Sequence, residues 1–458
     1  MGVTIVTDVW EPNRALYVFI LVSCSLSIFC LPQLSSNSNR TLARTPFDHS
    51  LPSSLFRFQR SFLLLYSLSS VMEGLWSVFG EYELSYYGVG REQMVLSLCV
   101  GYAAALFLGT FLGMLSDLMS KESLFDILHA APLCWSVEEN YCTSKCLTWM
   151  VVEHDKLVYR QDTLNDLFWL MTFTESASFI SSQVIANSLV GSYVDKTMLS
   201  ASTAAVFLAI LSIIFITRGW KKDLRTASLK DYRISFNALI FGDKRVWLLA
   251  WAQACVQFSI AVFWILWAPT IVADGQEVHL GLIYPCLLGA RMLGSTAFPW
   301  FFSGMLSIQP EDCLVYGFIV MGFVLSIVAY DYQEIGVLVA LFCLFHACVG
   351  LILPSLARLR TMYIPNNLRG GMISLSHSPA NAAILFFLLQ RLHVSFEALG
   401  EATPPKLPQI VIPYPCFQDQ WPVQADLGFT KLVREEIEEK VRNEEIPTLA
   451  KPFKRSAD

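Results

Sequence analysis

Met94 to Glu122 reads MVLSLCVGYAAALFLGTFLGMLSDLMSKE, and this stretch decides the fold. From Met94 to Leu115 it carries no charged residue. A helix rising 1.5 Å per residue would cross a hydrocarbon layer of ~30 Å over that length. Gly101, Ala103, Ala104, Gly109 and Gly113 supply small-residue positions where another membrane helix can approach closely. The chain then turns polar at once, with Asp117, Lys121 and Glu122 following the apolar run.

A second copy of the run's end lies further along. Phe302-Ser-Gly304-Met-Leu-Ser307-Ile308 repeats Phe111-Leu-Gly113-Met-Leu-Ser116-Asp117 at a constant offset. Repeated halves are a common construction among membrane transporters. Ile308 stands where the first copy has its acid, so only Asp117 can make a charged contact there.

Composition agrees with a membrane chain. Of 458 residues, 54% are hydrophobic and 15% charged, and the mean hydropathy is +0.49. Soluble domains carry about a quarter charged residues. The twelve cysteines are scattered, many within apolar segments (Cys24, Cys99, Cys255, Cys343), and read as small packed hydrophobes rather than a disulfide framework. Asp8 and Glu11 precede the first apolar run, so no cleavable signal is expected. Cys134, Cys142, Cys146 and His154, with His129 nearby, match no compact zinc module, and no metal is expected. No G-x-x-x-x-G-K loop is present; no cofactor and no nucleic-acid partner are expected.

Ten apolar segments are predicted to span the bilayer. They are Ala15–Pro32, Ser61–Gly80, Met94–Leu115, Asp166–Val190, Ala201–Thr217, Val246–Ile271, Leu280–Phe302, Leu314–Tyr330, Ile335–Leu356 and Gly371–Leu389. Lys221, Lys222, Arg225, Lys230, Arg233, Lys244 and Arg245 crowd one connection, and Arg358, Arg360 and Arg369 another. Alternate connections hold Glu81 and Glu83, Asp274 and Glu277, or Asp331 and Glu334. The positive-inside rule then places the basic connections in the cytoplasm and the N-terminus outside. The loop bearing the sequon Asn39-Arg40-Thr41 also falls inside, where it stays unglycosylated. Leu432, Val433, Ile437 and Val441 form one stripe of a short surface helix in the charged tail.

The loop after Gly113 resembles the G-x-x-x-D-x-x-G-R-K loop of the major facilitator superfamily, with Ser120 and Glu122 departing from the pattern. Trp149-Met-Val-Val-Glu153-His154, with Arg160-Gln-Asp162 and Phe168-Trp169, resembles the E-x-W-x-x-x-E-H stretch of the superfamily's molybdate-anion transporters. Leu147 stands at that stretch's first Glu. Leu287-Leu-Gly289-Ala-Arg291-Met-Leu-Gly294-Ser295 and Leu368-Arg369-Gly-Gly-Met-Ile-Ser-Leu375 are similar to the same family. The resemblance implies an all-α two-bundle fold with an extra N-terminal helix before the core helices. The expected units are residues 1–60 (extra helix and basic loop), 61–218 (N-terminal bundle), 219–245 (central loop), 246–390 (C-terminal bundle) and 391–458 (tail). Two core helices are missing after residue 121 and the last after residue 390, so the fold is expected to be incomplete.

The function implied is secondary transport of small oxyanions, foremost high-affinity molybdate uptake, with sulfate and tungstate as chemically similar alternatives and protons as coupling ion. The plasma membrane is the expected location, an endomembrane the alternative. The competing reading is a truncated, non-transporting splice form or membrane scaffold. An enzyme is not expected: Glu153 and His154 are sequence neighbours, which a helix points about 100° apart.

The ionisable residues within spans carry the site expectations: Glu73, Glu175, Arg291 and His346. Such groups are costly in a bilayer unless paired or facing a polar cavity. Arg291, with Tyr284 seven positions before and Ser295 four after on one helical face, is expected to bind the dianion. The alternative is an ion pair of Arg291 with Glu73 or Glu175. Glu73 and His346 are coupling candidates because burial raises a carboxyl pKa and His titrates near neutrality. Asp117 and Lys121 are gating candidates by the superfamily resemblance, the carboxylate bracing the two halves against a helix N-terminus or an arginine.

Overall fold

The computed structural model describes residues 10–35, 53–86, 91–118, 150–151, 154, 161–191, 201–219, 229–272, 278–303, 308–330 and 334–400. The expectations for Lys121, for the cysteines from 134 to 146, for residues 304–307, for the Asn39 sequon and for the tail beyond 400 lie outside these residues.

The described chain is helical: α1 Arg14–Ser35, α2 Ser53–Tyr86, α3 Arg91–Ala104, a π turn Ala105–Gly109, α4 Thr110–Leu118, α5 Gln161–Gly191 and α6 Ala201–Gly219. After these come α7 Leu229–Gly242, α8 Lys244–Val272, α9 Leu280–Ser303, α10 Pro310–Tyr330, α11 Ile335–Tyr363 and α12 Arg369–Gly400. Nine of the ten segments read from the sequence each lie on one of these helices, and Met94–Leu115 runs through α3, the π turn and α4. Among the described residues, five helical stretches are long and apolar enough to cross a membrane: Gln93–Leu115, Lys244–Val272, Pro310–Tyr330, Ile335–Tyr363 and Arg369–Gln390. The chain is an all-α polytopic membrane protein.

Local chemistry explains how the helices survive in hydrocarbon. Buried hydroxyls find acceptors on their own helices, as Ser70 does on the Tyr66 carbonyl at 3.0 Å and Ser176 on Thr172 at 3.0 Å. Prolines 285, 299, 354 and 379 sit inside helices, which neighbouring helices and hydroxyls make tolerable in membranes. α10 opens on Pro310 with Glu311 and Asp312 in its first turn, matching the free N–H groups and positive end of the dipole. Outward faces are apolar: Phe19, Phe107, Phe111, Leu248 and Phe323 are exposed. Only a hydrocarbon environment suits so many large exposed apolar side chains.

Two contacts in each of four helix pairs give the helix directions. Tyr66 meets Glu175, and Gly74 lies against Ser182, so α2 and α5 run parallel. Glu175 meets Arg291 and Gln183 meets Gly281, so α5 and α9 are antiparallel. Asp117 meets Gly370 and Thr110 meets Ser378, which makes α4 and α12 antiparallel. α1 runs parallel to α9, with Tyr17 bonding the Leu282 carbonyl and Ser27 the Thr296 carbonyl. Glu11 pairs with His279 at 3.0 Å beside a Trp10–Val278 bridge. The chain before α1 and the connection before α9 therefore share one membrane face, as the charge pattern requires.

α5 against α9 and α4 against α12 form two seams between the first and second sets of helices. The first copy of the repeated motif falls on α4, and Phe302 and Ser303 of the second close α9, one helix of each seam. The largest apolar core, including Val256, Ile283, Leu287, Phe345 and Val349, centres on α8–α11 and takes in Tyr232 and Phe236 of α7 and Met372 of α12. A smaller one joins Phe62, Tyr66, Leu167 and Phe168 to Ala357 and Ile373 across the seams.

Two sequence readings are corrected here. The basic connection between the bundles is not all loop: α7 forms within it, burying Tyr232 and Phe236 one turn apart while Arg233 and Phe241 stay exposed. Such an amphipathic helix suits the membrane interface. Arg360 and Arg369, loop charges by the sequence pattern, are 8% and 1% exposed. The final turns of α11 and the first of α12 extend past the apolar run and fold these side chains inward.

Candidate functional site

The first seam holds a charged centre. Arg291 projects from the middle of α9 and is 6% exposed, and its Nη2 donates to Glu175 Oε1 on α5 at 2.7 Å. Tyr66 on α2 donates its phenolic hydrogen to Glu175 Oε2, also at 2.7 Å. One carboxylate thus joins three helices. The Nε of Arg291 is buried with no hydrogen-bond partner. Removing one member of such a pair leaves an uncompensated charge, a loss of about 3–5 kcal/mol.

α11 completes the centre from the opposite side. Its Gly350 lies so close to α9 that a Cβ there would fall 2.1 Å from the Arg291 carbonyl oxygen, and Gly294 of α9 is equally tight against Ala347. Only glycine allows this approach, and it sets the height of Arg291 against His346. His346 is 1% exposed, and neither ring nitrogen has a hydrogen-bond partner. Its ring lies 4.6 Å from Phe263, 5.0 Å from Trp264 and 5.5 Å from Phe345, and the charge of Arg291 acts on it. Tyr284, two turns before Arg291, packs on Trp264 with ring centres 5.5 Å apart.

The sequence-derived residues therefore separate. Arg291 and His346 stand on α9 and α11 where the two backbones touch at Gly294 and Gly350, and Tyr284 and His346 both pack on Trp264. The hydroxyl expected at Ser295 is spent: it is fully buried and donates to the Met292 carbonyl at 2.7 Å. Glu73 lies on α2 two turns beyond Tyr66, half-buried, and its charge is felt at Tyr66. Of the two alternatives for an ion pair, Glu175 is the partner Arg291 has. Tyr66 and Trp264 were missed by sequence reading. A tyrosine inside an apolar run is the available signal, because a buried phenol needs a partner.

The second seam is braced at its end. Asp117 Oδ1 accepts the Gly370 N–H at 3.0 Å, and Oδ2 accepts the Gly371 N–H at 2.7 Å and the Tyr232 hydroxyl at 3.1 Å. A carboxylate at a helix N-terminus meets both free N–H donors and the positive end of the dipole. A Cβ on Gly371 would meet the Tyr232 oxygen at 2.3 Å, so glycine is required for α7 to close under the seam. Burial first, then the Asp117 carboxylate, pushes the Tyr232 phenol well up, so it remains a donor. A few turns away, Thr110 and Ser378 bond at 3.0 Å beside the π turn on one side and Pro379 on the other.

A family model described as sugar transporters with 12 transmembrane helices matches residues 139–358. The molybdate-anion transporter of Xenopus laevis is 25% identical over 225 residues, 46% of this chain and 49% of that one. That of Takifugu rubripes is 22% identical over 402 residues, covering 75% and 82% respectively. That of Danio rerio is 29% identical over 169 residues, 36% of this chain and 34% of that one. In the Xenopus matches the chain spans about half the length of the curated relatives.

Proposed function

We propose that the chain, whose relatives are molybdate-anion transporters and whose residues 139–358 match a family of transporters with 12 transmembrane helices, is a transporter of that kind and moves a small tetrahedral oxyanion, molybdate first, through the centre at Arg291. The observation that carries the reading is the buried Arg291–Glu175 pair at the seam, with Arg291 Nε and both nitrogens of His346 lacking protein partners. A resting guanidinium neutralised by a carboxylate can exchange that carboxylate for an incoming dianion. The planar fork then gives parallel charge-assisted hydrogen bonds to paired oxygens, and His346 adds a donor from α11. Glu175, released, keeps its bond to Tyr66 and becomes the natural acceptor of a coupling proton, alongside Glu73 and His346. Sulfate and tungstate share the required shape and charge. The plasma membrane is the site of action we assign.

The test is uptake of labelled molybdate into proteoliposomes. Glu175→Gln, which removes the competing anion, should lower KM and slow turnover. Arg291→Lys, which keeps the charge but loses the fork, should raise KM at least tenfold with the protein still inserted. Unchanged KM in both variants would remove this centre from the substrate path.

A further inference from the structure

α7 has two faces, and among the described residues only one of them is covered by protein. At about 100° per residue, Tyr232, Phe236, Leu239 and Ile240 share one side of the helix. That side is held in place. The Tyr232 hydroxyl donates to Asp117 at 3.1 Å, Tyr232 and Phe236 stack with ring centres 5.6 Å apart, and Leu239 and Ile240 pack against the main apolar core. Ile234 and Phe241, seven positions apart, stand on the opposite side and are 60% and 82% exposed.

Asp243 ends the helix there. It is the single residue between α7 and α8, and its Oδ1 accepts the Arg245 N–H at 2.9 Å, as an N-cap does. α8 therefore starts afresh instead of prolonging α7, and α7 with its 14 residues is too short to cross the bilayer. Its level follows from its neighbours. Tyr232 meets Asp117 at the end of α4 and lies against Gly371 at the start of α12. Arg245 at the start of α8 lies 5.6 Å over the Tyr363 ring at the end of α11, and Tyr363 donates to Glu311 at the start of α10 at 3.0 Å. Five helix ends thus gather at the height of α7. Arg233 on its flank and Lys244 in the first turn of α8 are exposed there, and Trp247, Leu248 and Trp251 continue the exposed apolar surface along α8. Large apolar side chains beside cations, at the height where spans end, suit a helix lying in the headgroup boundary.

We propose that the outer face of α7 docks on the leaflet at the basic face, with Ile234 and Phe241 in the acyl boundary and Arg233 and Lys244 on the phosphates of anionic lipids. Water alone would leave Phe241 hydrated, and a neutral leaflet would leave both cations without counter-charge; an anionic leaflet answers both. The docked helix carries Tyr232 on its other side, so anionic lipid tightens the hold on Asp117 and on the α4–α12 seam. The inference does not depend on the reading of Arg291.

The full chain in nanodiscs of phosphatidylcholine, with or without phosphatidylglycerol, tests it. A fluorophore on Phe241→Cys, read as the difference from labelled wild type, should be quenched by lipids carrying a nitroxide high on the acyl chain and shielded from aqueous iodide. Phosphatidylglycerol should at least halve the reaction rate of cysteine reporters along the α4–α12 seam, an effect that high salt suppresses. Arg233→Gln combined with Lys244→Gln should abolish that lipid dependence. Ile234→Ser combined with Phe241→Ser should weaken it, and both pairs should fold normally because all four side chains are exposed. Quenching by iodide and not by lipid would put this face in water. Shielding from both would mean that protein covers it, a second copy if the chain migrates as a dimer and the chain itself if it does not. Any of these results, or reporter rates indifferent to phosphatidylglycerol, would overturn the proposal.

Discussion

Arg291 and Glu175 are costly to bury singly and close to neutral to bury together, so the two side chains should respond to substitution in a non-additive way. Arg291→Gln or Glu175→Gln alone should destabilise the purified protein by about 3–5 kcal/mol, because each strands its partner. The double variant should recover most of that loss while remaining inactive, a pattern that thermal unfolding in detergent and oxyanion uptake would show together. If the double variant were no more stable than the singles, the pair would not be the energetic unit the 2.7 Å contact indicates. Tyr66→Phe should cost less, about 1–3 kcal/mol, since Glu175 keeps its arginine when the phenol is lost. At this scale the sequence was informative about cost and poor about partners. An arginine in the middle of an apolar run announces itself. Which of Glu73 and Glu175 meets it depends on how α2 and α5 rotate, and no local pattern records that rotation.

Among the elements, α4, α7 and α12 meet on one carboxylate, and the state in which they meet should depend on it. Asp117→Asn keeps one acceptor oxygen but loses the charge facing two N–H donors and the α12 dipole. It should therefore raise the accessibility of cysteine reporters along the α4–α12 seam, while molybdate affinity changes little. Reporter rates equal to wild type would mean Asp117 is only a solvated helix-end acid. Tyr232→Phe should move the same reporters in the same direction by a smaller amount, since both backbone donors to Asp117 remain. Because the phenol's pKa is raised in place, pH changes within the physiological range leave that donor intact. The helices on both sides were legible as apolar runs, and the Gly113–Asp117 spacing marked this end. α7 was not legible: its Lys230, Asp231 and Arg233 read as loop charges, and its apolar face is only Tyr232, Phe236 and their neighbours. The π turn was also hidden, since Ala105–Gly109 has the composition of any membrane helix.

For the whole molecule, the parallel α1–α9 pairing and the antiparallel seams leave one orientation consistent with the basic connections. A cysteine at Glu334, exposed at the start of α11, should react with an impermeant thiol reagent from outside intact cells, and one at Lys244 only after permeabilisation. The reverse pattern, or a glycosidase-sensitive mass shift lost in Asn39→Gln, would invert the topology. Charge pattern carries the expected sidedness because lipid excludes charge over whole spans, a coarse signal that survives local error. It failed at Arg360 and Arg369, where position near a helix end does not decide whether a side chain turns out or in. The proposed function makes one claim of the whole molecule: that the seam's central charge passes from the protein's own carboxylate to its cargo. The most direct measurement of that claim is equilibrium binding of molybdate to the purified chain, compared among wild type, Arg291→Lys and Glu175→Gln. Competition at Arg291 requires at least tenfold weaker binding in Arg291→Lys and tighter binding in Glu175→Gln; equal affinity in all three would contradict it.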